Sequence, residues 1–392
     1  MRLLLILLGL LISLLGGCQS PDTPSAVANH LVVIGVDGLS PDGIRQTKTP
    51  HLDRLMVTGA HTLQARAVLP SSSSPNWASM LMGAGPEQHG ITSNEWELDQ
   101  HELAPMTHGP GGRFPTIFTL LHQQKPDYET GAIYHWQGFG RLFHHAEVDY
   151  VQHGATEEET AALAAAYIVE KKPNYLFVHL DHVDGAGHEY GHGSAEYYAS
   201  VRRADSLIGQ ILAALKDAQL ANRSIVLITA DHGGKGKGHG GETLAEMEIP
   251  FILAGRGVKP NHLIRHAVST VDNAPTAAWA LGLTQPYVWS GRPVCSAFIG
   301  EKVPDDSDLK PILPRPTLVH EGTGDSLALA IYVSEAFVTY TLDGSEPTEA
   351  SATYGAPLRL APGQHLKARA FRPGYAPSAV LSFTPEKRPL AR

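Results

Sequence analysis

The stretch Leu31-Val32-Val33-Ile34-Gly35-Val36-Asp37-Gly38 decides how the chain folds. Its apolar residues are consecutive and do not alternate, which suits a strand buried on both faces, as in parallel sheets covered by helices. The run ends by delivering a carboxylate, Asp37, to the strand exit. Alone, Asp-Gly after a strand is more often a turn than a site. The pattern recurs, with further strands expected at Gly131 to His135, Asn174 to Leu180, Ile225 to Thr229 and Pro250 to Ala254. Between them, Thr156 to Lys172 opens with the Thr-Glu-Glu-Glu spacing of a capping box, and Ser194 to Ala218 carries apolar residues at helical intervals. This alternation from His30 to Ile299 predicts an α/β domain, a central and mostly parallel sheet sandwiched by helices. Two more strands run into acids, at Leu180-Asp181 and Thr229-Ala230-Asp231. Open α/β sheets bind ligands outside the carboxyl ends of their strands, so these acids are candidate functional groups.

The 392 residues are 43% hydrophobic and 18% charged, which supplies a full core and excludes global disorder. There are 21 histidines but only 2 cysteines. That excludes a disulfide scaffold and a thiolate-only metal site, so a metal would need imidazole and carboxylate ligands. A net charge of -9 and a pI near 6.1 argue against polymeric nucleic acid as a partner, since binding phosphates by charge needs a basic patch. Among the histidines, only His320 and His365 lie beyond residue 302, so the chemistry belongs to the first domain.

At the N-terminus, Met1-Arg2 precedes the almost wholly apolar run Leu3 to Leu15. A membrane-spanning helix takes about 20 residues, so a secretory signal is the better reading. Leu15-Gly16-Gly17-Cys18 resembles the bacterial lipobox, which implies a lipoprotein signal over residues 1–18, a lipid on Cys18 and a polar tether over residues 19–29. Gln19, where an inner-membrane lipoprotein would have Asp, implies export and anchoring at the periplasmic face or surface of a bacterial outer membrane. Cys295 is then an unpaired thiol, expected to be a small buried hydrophobe. Residues 300–316 read as a linker, rich in Pro, Asp and Lys. Residues 317–386 read as a small β-sandwich, with strand-like runs at Leu327 to Val333 and Phe337 to Leu342 and turns at Asp343-Gly344 and Pro373-Gly374.

Three further segments concentrate reactive groups. In Ser71-Ser72-Ser73-Ser74-Pro75-Asn76, Pro75 suits the first helical position and Ser74 the cap. Ser73 would then stand just outside a helix N-terminus, where the dipole favours an anion, although a serine-rich cap is the bland alternative. In Asp181-His182-Val183-Asp184-Gly185-Ala186-Gly187-His188-Glu189-Tyr190-Gly191-His192, Asp184 and His188 stand four residues apart and can converge on one cation. The two glycines favour a loop over a helix there. In Ala230-Asp231-His232-Gly233-Gly234-Lys235-Gly236-Lys237-Gly238-His239-Gly240-Gly241-Glu242, a strand ends in Asp-His and a glycine run brings back a second histidine. Such donors suit zinc, and manganese or iron less well.

Together, Val36-Asp37-Gly38, Ser73-Ser74-Pro75-Asn76, the Asp-x-x-Asp-x-x-Gly-His run from Asp181 to His188, Ala230 to Gly233 and Gly238 to Glu242 resemble the alkaline phosphatase superfamily, most closely its type I phosphodiesterase/nucleotide pyrophosphatase branch. The resemblance implies an alkaline-phosphatase-like domain over residues 30–299 with two zinc ions. One would be held by Asp184, His188 and His239. The other would be held by Asp37, Asp231 and His232, with the Ser73 oxygen bridging to it. Ser73 takes the nucleophile position, where the branch has threonine, and Asn94 matches the residue that stabilises the oxyanion. The implied activity is metal-dependent phosphodiesterase or nucleotide pyrophosphatase, acting on a small phosphoester or nucleotide through a phosphoryl-Ser73 intermediate. Sulfatases share the fold, but Ser73-Ser74-Pro75-Asn76-Trp77 lacks the Ser and Arg of their nucleophile motif.

Phosphomonoester hydrolysis is the second reading. It calls for a cation at the phosphate, and no arginine lies near Ser73 in sequence, although Lys235 and Lys237 stand beside the expected ligands. Trp96, Phe114, Trp136, Phe139 and Phe143 are candidates for the wall of a leaving-group pocket or, equally, for the core. His182 and His192 are expected either to support the ligands or to lie on the surface. Val338 to Thr348 and Lys367 to Phe371 resemble the chitobiase/β-hexosaminidase C-terminal domain, which implies a spacer or a glycan-binding module. A glycan-binding surface lipoprotein with a decayed catalytic domain is the third reading, disfavoured because the full ligand set is present.

Overall fold

The computed structural model describes residues 26–301, 313–320, 326–331, 333, 335–361 and 363–385. The expected signal and lipobox, with Cys18, lie outside the described residues, as do residues 302–312 of the expected linker.

An eight-stranded sheet carries the first domain. Its strands are β1 (His30–Val36), β2 (Ala60–Arg66), β3 (Thr130–Tyr134), β4 (Tyr150–His153), β5 (Tyr175–Leu180), β6 (Ser224–Thr229), β7 (Glu248–Gly255) and β8 (His262–Leu263), in the order β4-β3-β5-β1-β6-β7-β2-β8. The segment from β4 to β6 is parallel throughout, β7 runs antiparallel to both neighbours, and β8 is parallel to β2. The consecutive apolar residues of β1 are all buried, because it lies mid-sheet between β5 and β6. β2 and β4 escape the sequence pattern because they lie toward the sheet margins and carry half-exposed positions.

Helices cover the sheet. Thr156 caps the Glu157–Lys171 helix through its hydroxyl, which accepts from the Glu159 amide, and Ser194 caps the Ala195–Asp217 helix by accepting from Tyr197. The latter buries Val201, Ala204, Ile208 and Ile211, a 3.6-residue stripe. Burying one such aliphatic side chain contributes roughly 1.5–3 kcal/mol.

Two local expectations change. The Asp181 to His192 segment is mainly a helix, His182–Tyr190, which packs on the Ala195–Asp217 helix. Its glycines are tolerated because tertiary packing outweighs their helix cost of about 1 kcal/mol each, and a Cβ at Gly187 would collide with His192. The other change is a helix that begins at Ser73 (Ser73–Met82), with Ser72 as N-cap, so Ser73 is its first residue and not a residue outside it. Asn76 sets that start. Its side-chain amide donates to Val68, Pro70 and Ser72 carbonyls, and this winds the first turn early. Pro75 is accommodated because the first-turn amides lack helical partners in any case.

The C-terminal module consists of two small antiparallel sheets. One holds Thr317–His320, Ser326–Ala330 and Leu358–Arg359, and the other Phe337–Thr341, Ala352–Thr353, Leu366–Phe371 and Leu381–Phe383. Leu313, Val338, Leu366 and Ala370 form its core, and Leu244 of the first domain packs against them. Glu248 of β7 accepts from Arg372 at 3.0 Å and from Tyr375 at 2.7 Å, a buried polar anchor between the two units.

Candidate active site

β1 ends on Asp37, only 1% exposed. Its Oδ2 accepts from Trp77 Nε1 at 3.0 Å and faces His179 Nε2 at 3.2 Å. Trp77 follows Ser73 by one helical turn and so lies on the same face of its helix. It reaches Asp37 because β1 carries Gly35, where a Cβ would stand 2.5 Å from the indole. With Oδ2 occupied, Oδ1 is left buried without a hydrogen-bond donor, 3.4 Å from His232 Nε2.

β6 delivers Asp231 and His232. Asp231 Oδ1 accepts from the Gly38 and His232 amides at 3.1 and 2.9 Å, while its Oδ2 has no donor and lies 3.1 Å from His232 Nε2. His232 Nδ1 faces the Gly233 carbonyl at 2.8 Å, so Nδ1 carries the proton and Nε2 offers a lone pair. Ser73 Oγ lies 3.3 Å from that Nε2. Asp37, Asp231, His232 and Ser73 thus converge at the carboxyl rim of the sheet.

The neighbouring focus is built by the His182–Tyr190 helix and the glycine run. Asp184 Oδ2 lies 3.1 Å from His188 Nε2 and 3.7 Å from His239 Nε2, and the two imidazole nitrogens are 3.1 Å apart. His188 Nδ1 faces the Lys237 carbonyl and His239 Nδ1 the Ser71 carbonyl, so each ring turns Nε2 inward. Two inward lone pairs repel unless a positive charge sits between them. In the bare chain a proton does so: the Asp184 hydrogen bond raises His188 to about 9. The His232 and His239 rings stack at 3.7 Å and join the two foci.

The fit of this site to cations can be judged from its oxygens. Asp37 Oδ1, Asp184 Oδ1 and Asp231 Oδ2 are buried with no donor. Burial, then the Asp231 carboxylate, raises Asp37 well above the carboxylate range, and burial, then Asp184, does the same to Asp231. Buried anions of this kind require a compensating charge. Donor atoms of Asp184, His188 and His239 lie within 4.8 Å of one another, as do those of Asp37, Asp184 and His232. Carboxylate and imidazole donors around two adjoining points fit a pair of zinc-type ions. Asp37, His179 and Asp181 form a third such group, but Trp77 and His179 already occupy Asp37 Oδ2, so His179 positions Asp37.

Asn94 also comes to the nucleophile helix. Its Oδ1 accepts from the Ser74 amide at 2.7 Å, which leaves its NH2 end for another acceptor. Sequence reading missed Trp77, His179 and Arg141. The i, i+4 relation of Ser73 and Trp77 was a usable signal for the first, and an imidazole inside the apolar β5 run for the second. Arg141 had none: its Nη2 donates to Ser74 Oγ at 3.3 Å and to the Asn94 carbonyl, across 67 and 47 residues. It supplies the cation that is missing near Ser73 in sequence, whereas Lys235 and Lys237 are exposed.

Some expectations are corrected. Trp96, Phe114, Phe139 and Phe143 are buried, so they are mainly core, and only Trp136 of the five aromatics is half-buried. Phe139 stacks on His179 at 5.2 Å and so supports the site from below. His182 and His192 are buried, not surface residues, and His192 Nε2 lies 3.7 Å from Asp184 Oδ1. Cys295 is half-buried, because its short 3-10 turn lies near the edge of the domain.

Comparison with known proteins points the same way. The family described as "Type I phosphodiesterase / nucleotide pyrophosphatase" matches residues 31–238, and the one described as "Fn3 associated" matches residues 329–384. The bis(5'-adenosyl)-triphosphatase ENPP4 of Homo sapiens is 26% identical over 316 residues, covering 78% of this chain and 66% of that protein. Ectonucleotide pyrophosphatase/phosphodiesterase family member 3 of Rattus norvegicus is 24% identical, covering 55% of this chain and 26% of its own length. The chain spans 49% of the related Xenopus laevis enpp4, so it matches half or less of several curated relatives. Among solved structures, human ectonucleotide pyrophosphatase/phosphodiesterase 5 superposes with a TM-score of 0.59 at 17% identity, over 69% of this chain and 100% of that one. A mutant of the alkaline phosphatase PafA gives 0.58 at 11% identity, over 69% and 99%. These likenesses establish an alkaline-phosphatase-like fold.

Proposed function

The chain belongs to the type I phosphodiesterase / nucleotide pyrophosphatase family, and from that premise we propose that it is a metal-dependent hydrolase of phosphodiester or diphosphate bonds with Ser73 as nucleophile. The observation that carries this reading is the convergence of Ser73 Oγ with His232 Nε2 at 3.3 Å, beside the donor-free oxygens of Asp37 and Asp231. Asp184, His188 and His239 would hold one zinc ion, and Asp37, Asp231, His232 and Ser73 the other, with manganese or iron as substitutes. When bound, such ions lower the pKa of a coordinated hydroxyl and offset charge on phosphoryl oxygens.

The chain's own groups do the rest. Ser73 Oγ loses its proton and attacks phosphorus in line, the ester oxygen leaves with the bonding pair, and phosphoryl-Ser73 results. Water then attacks the same phosphorus, and Ser73 leaves. The Asn94 NH2 donates to a non-bridging oxygen, an effect of about 3 kcal/mol in comparable sites. The amides of the first helical turn add their partial positive charge.

A small nucleotide or phosphoester is the proposed substrate, supported by the triphosphatase names of the relatives and by a related mouse structure in complex with AMP. Phosphomonoester hydrolysis is the second reading, favoured by the Arg141 contact with Ser74. Lipid anchoring through Cys18 at a bacterial outer membrane and a chitobiase-like role for the C-terminal module, as spacer or glycan contact, complete the proposal. An aryl phosphomonoester, an aryl phosphodiester, an aryl sulfate and a nucleotide, each assayed with zinc and with chelator, test it. Zinc-dependent turnover of the diester or nucleotide is expected, and Ser73→Ala should abolish it while zinc content stays the same. Unchanged activity in that variant refutes the nucleophile.

A further inference from the structure

The carboxyl rim that carries Asp37 and Asp231 continues past β5 to β3 and β4, where a second concavity opens. Arg113, Tyr134, Arg141, His144, His145 and His153 line a cavity of 570 Å³ beyond the ends of these two strands. That volume is typical of a small-molecule site, roughly 300–1,000 Å³. In a chain of net charge -9, no Asp or Glu is among its lining residues.

Arg141 is the wall shared with the reaction centre. Its Nη2 donates to Ser74 Oγ at 3.3 Å, next to the nucleophile, and its Nη1 pairs with Glu97 at 2.7 Å. Glu97 is 49% exposed, so it screens only part of the guanidinium, and Arg141 Nε is buried with no acceptor at all. Arg113 is held by main chain, its Nε donating to the Arg141 carbonyl at 2.8 Å and its Nη1 to the Gly111 carbonyl at 3.2 Å. Neither bond neutralises its charge. Two half-buried guanidiniums on adjoining strand-end loops present forked donors of the kind that match phosphate and carboxylate.

We propose that this cavity is a second anion subsite, which receives a phosphate or carboxylate that the substrate carries some bonds away from the scissile phosphorus. The inference rests on the phosphoester-hydrolase reading of the neighbouring centre. It narrows the substrate class to esters with a second negative group, and the Arg113 end of the cavity then supplies binding energy remote from the reacting bond.

The test uses the full-length, zinc-loaded enzyme and three p-nitrophenyl phosphodiesters. Their second arms are a pentyl chain, the same chain ending in carboxylate, and the same chain ending in phosphate. The expected result is a kcat/KM advantage of about tenfold or more for an anionic arm over the pentyl arm, the scale of one charge-assisted hydrogen bond, shrinking as salt rises. Whichever anionic arm gains more identifies the group. R113Q should bring the ratio of anionic to pentyl arms near one and R113K should retain most of it. H153Q, on a different strand and at an exposed position, should reduce it independently if R113Q folds poorly. Equal rates for all three arms in the wild type, or an equal loss on all three arms in R113Q and H153Q, overturns the subsite and leaves the hydrolase reading intact. No turnover of any arm overturns both.

Discussion

Trp77→Phe tests how the metal-ligand carboxylate is held. The substitution deletes one donor, Nε1–H, which reaches Asp37 Oδ2 at 3.0 Å, and keeps an aromatic ring against Phe177 and His179. A hydrogen bond to a charged group contributes about 1.5–3 kcal/mol, and here both partners are fully buried, so no water replaces it. With His179 alone on Oδ2, Asp37 is freer to turn its donor-free Oδ1 away. The expected outcome is weaker retention of one zinc ion of the pair by roughly 10- to 100-fold, with the ion at Asp184 little affected. A competition titration with a chromophoric chelator measures this, and a thermal melt runs beside it because the smaller ring also leaves a cavity. Phe139→Leu is the control: Phe139 packs edge-on to Trp77 at 5.9 Å and has no bond to Asp37. It should lower the melting temperature and leave zinc affinity alone. Wild-type zinc affinity in Trp77→Phe, or an equal loss in both variants, refutes the idea that the indole N–H holds Asp37.

Asn94→Ala should reduce kcat by about 100- to 1,000-fold with a smaller effect on KM, and a loss under tenfold would count against an oxyanion role. His89 offers a stability test. Its Nδ1 accepts from the Ile91 amide at 3.0 Å, its Nε2 donates to Ser79 Oγ at 3.0 Å, and burial lowers its pKa from 6.5 to about 3. The unfolded chain therefore binds the extra proton between pH 6.5 and 3, so stability falls as pH drops through that window. By pH 5 the loss is about 2 kcal/mol, and urea unfolding at pH 7 and 5 should show a shallower decline for His89→Gln; identical slopes would sink the assignment. Arg372→Met strands the buried Glu248 and should cost about 3–5 kcal/mol in the same assay, much of it recovered by adding Glu248→Gln. An unchanged unfolding curve for the single variant would mean that the two units do not depend on this pair.

Local information carried far in this protein. A strand buried on both faces must be continuously apolar, so β1, β5 and β6 were legible, and with them the exits where Asp37 and Asp231 stand. Asp184 and His188 share a face through their spacing, although the helix that presents them was not legible, since glycine preference is weak against packing. What no local pattern contains is the contact between distant segments. Trp77 meets Asp37 only because β1 has glycine opposite the indole, Arg141 meets Ser74 only because two strand-end loops adjoin, and Glu248 is paired only because the C-terminal module docks on β7. The amino-acid sequence by itself determined which chemistry is present and at which strand ends, because those depend on spacings of a few residues. The tertiary structure alone decided which oxygen of each carboxylate is left bare, where the cation beside the nucleophile comes from, and that a second cationic cavity shares its wall, because each depends on chain closure over long separations.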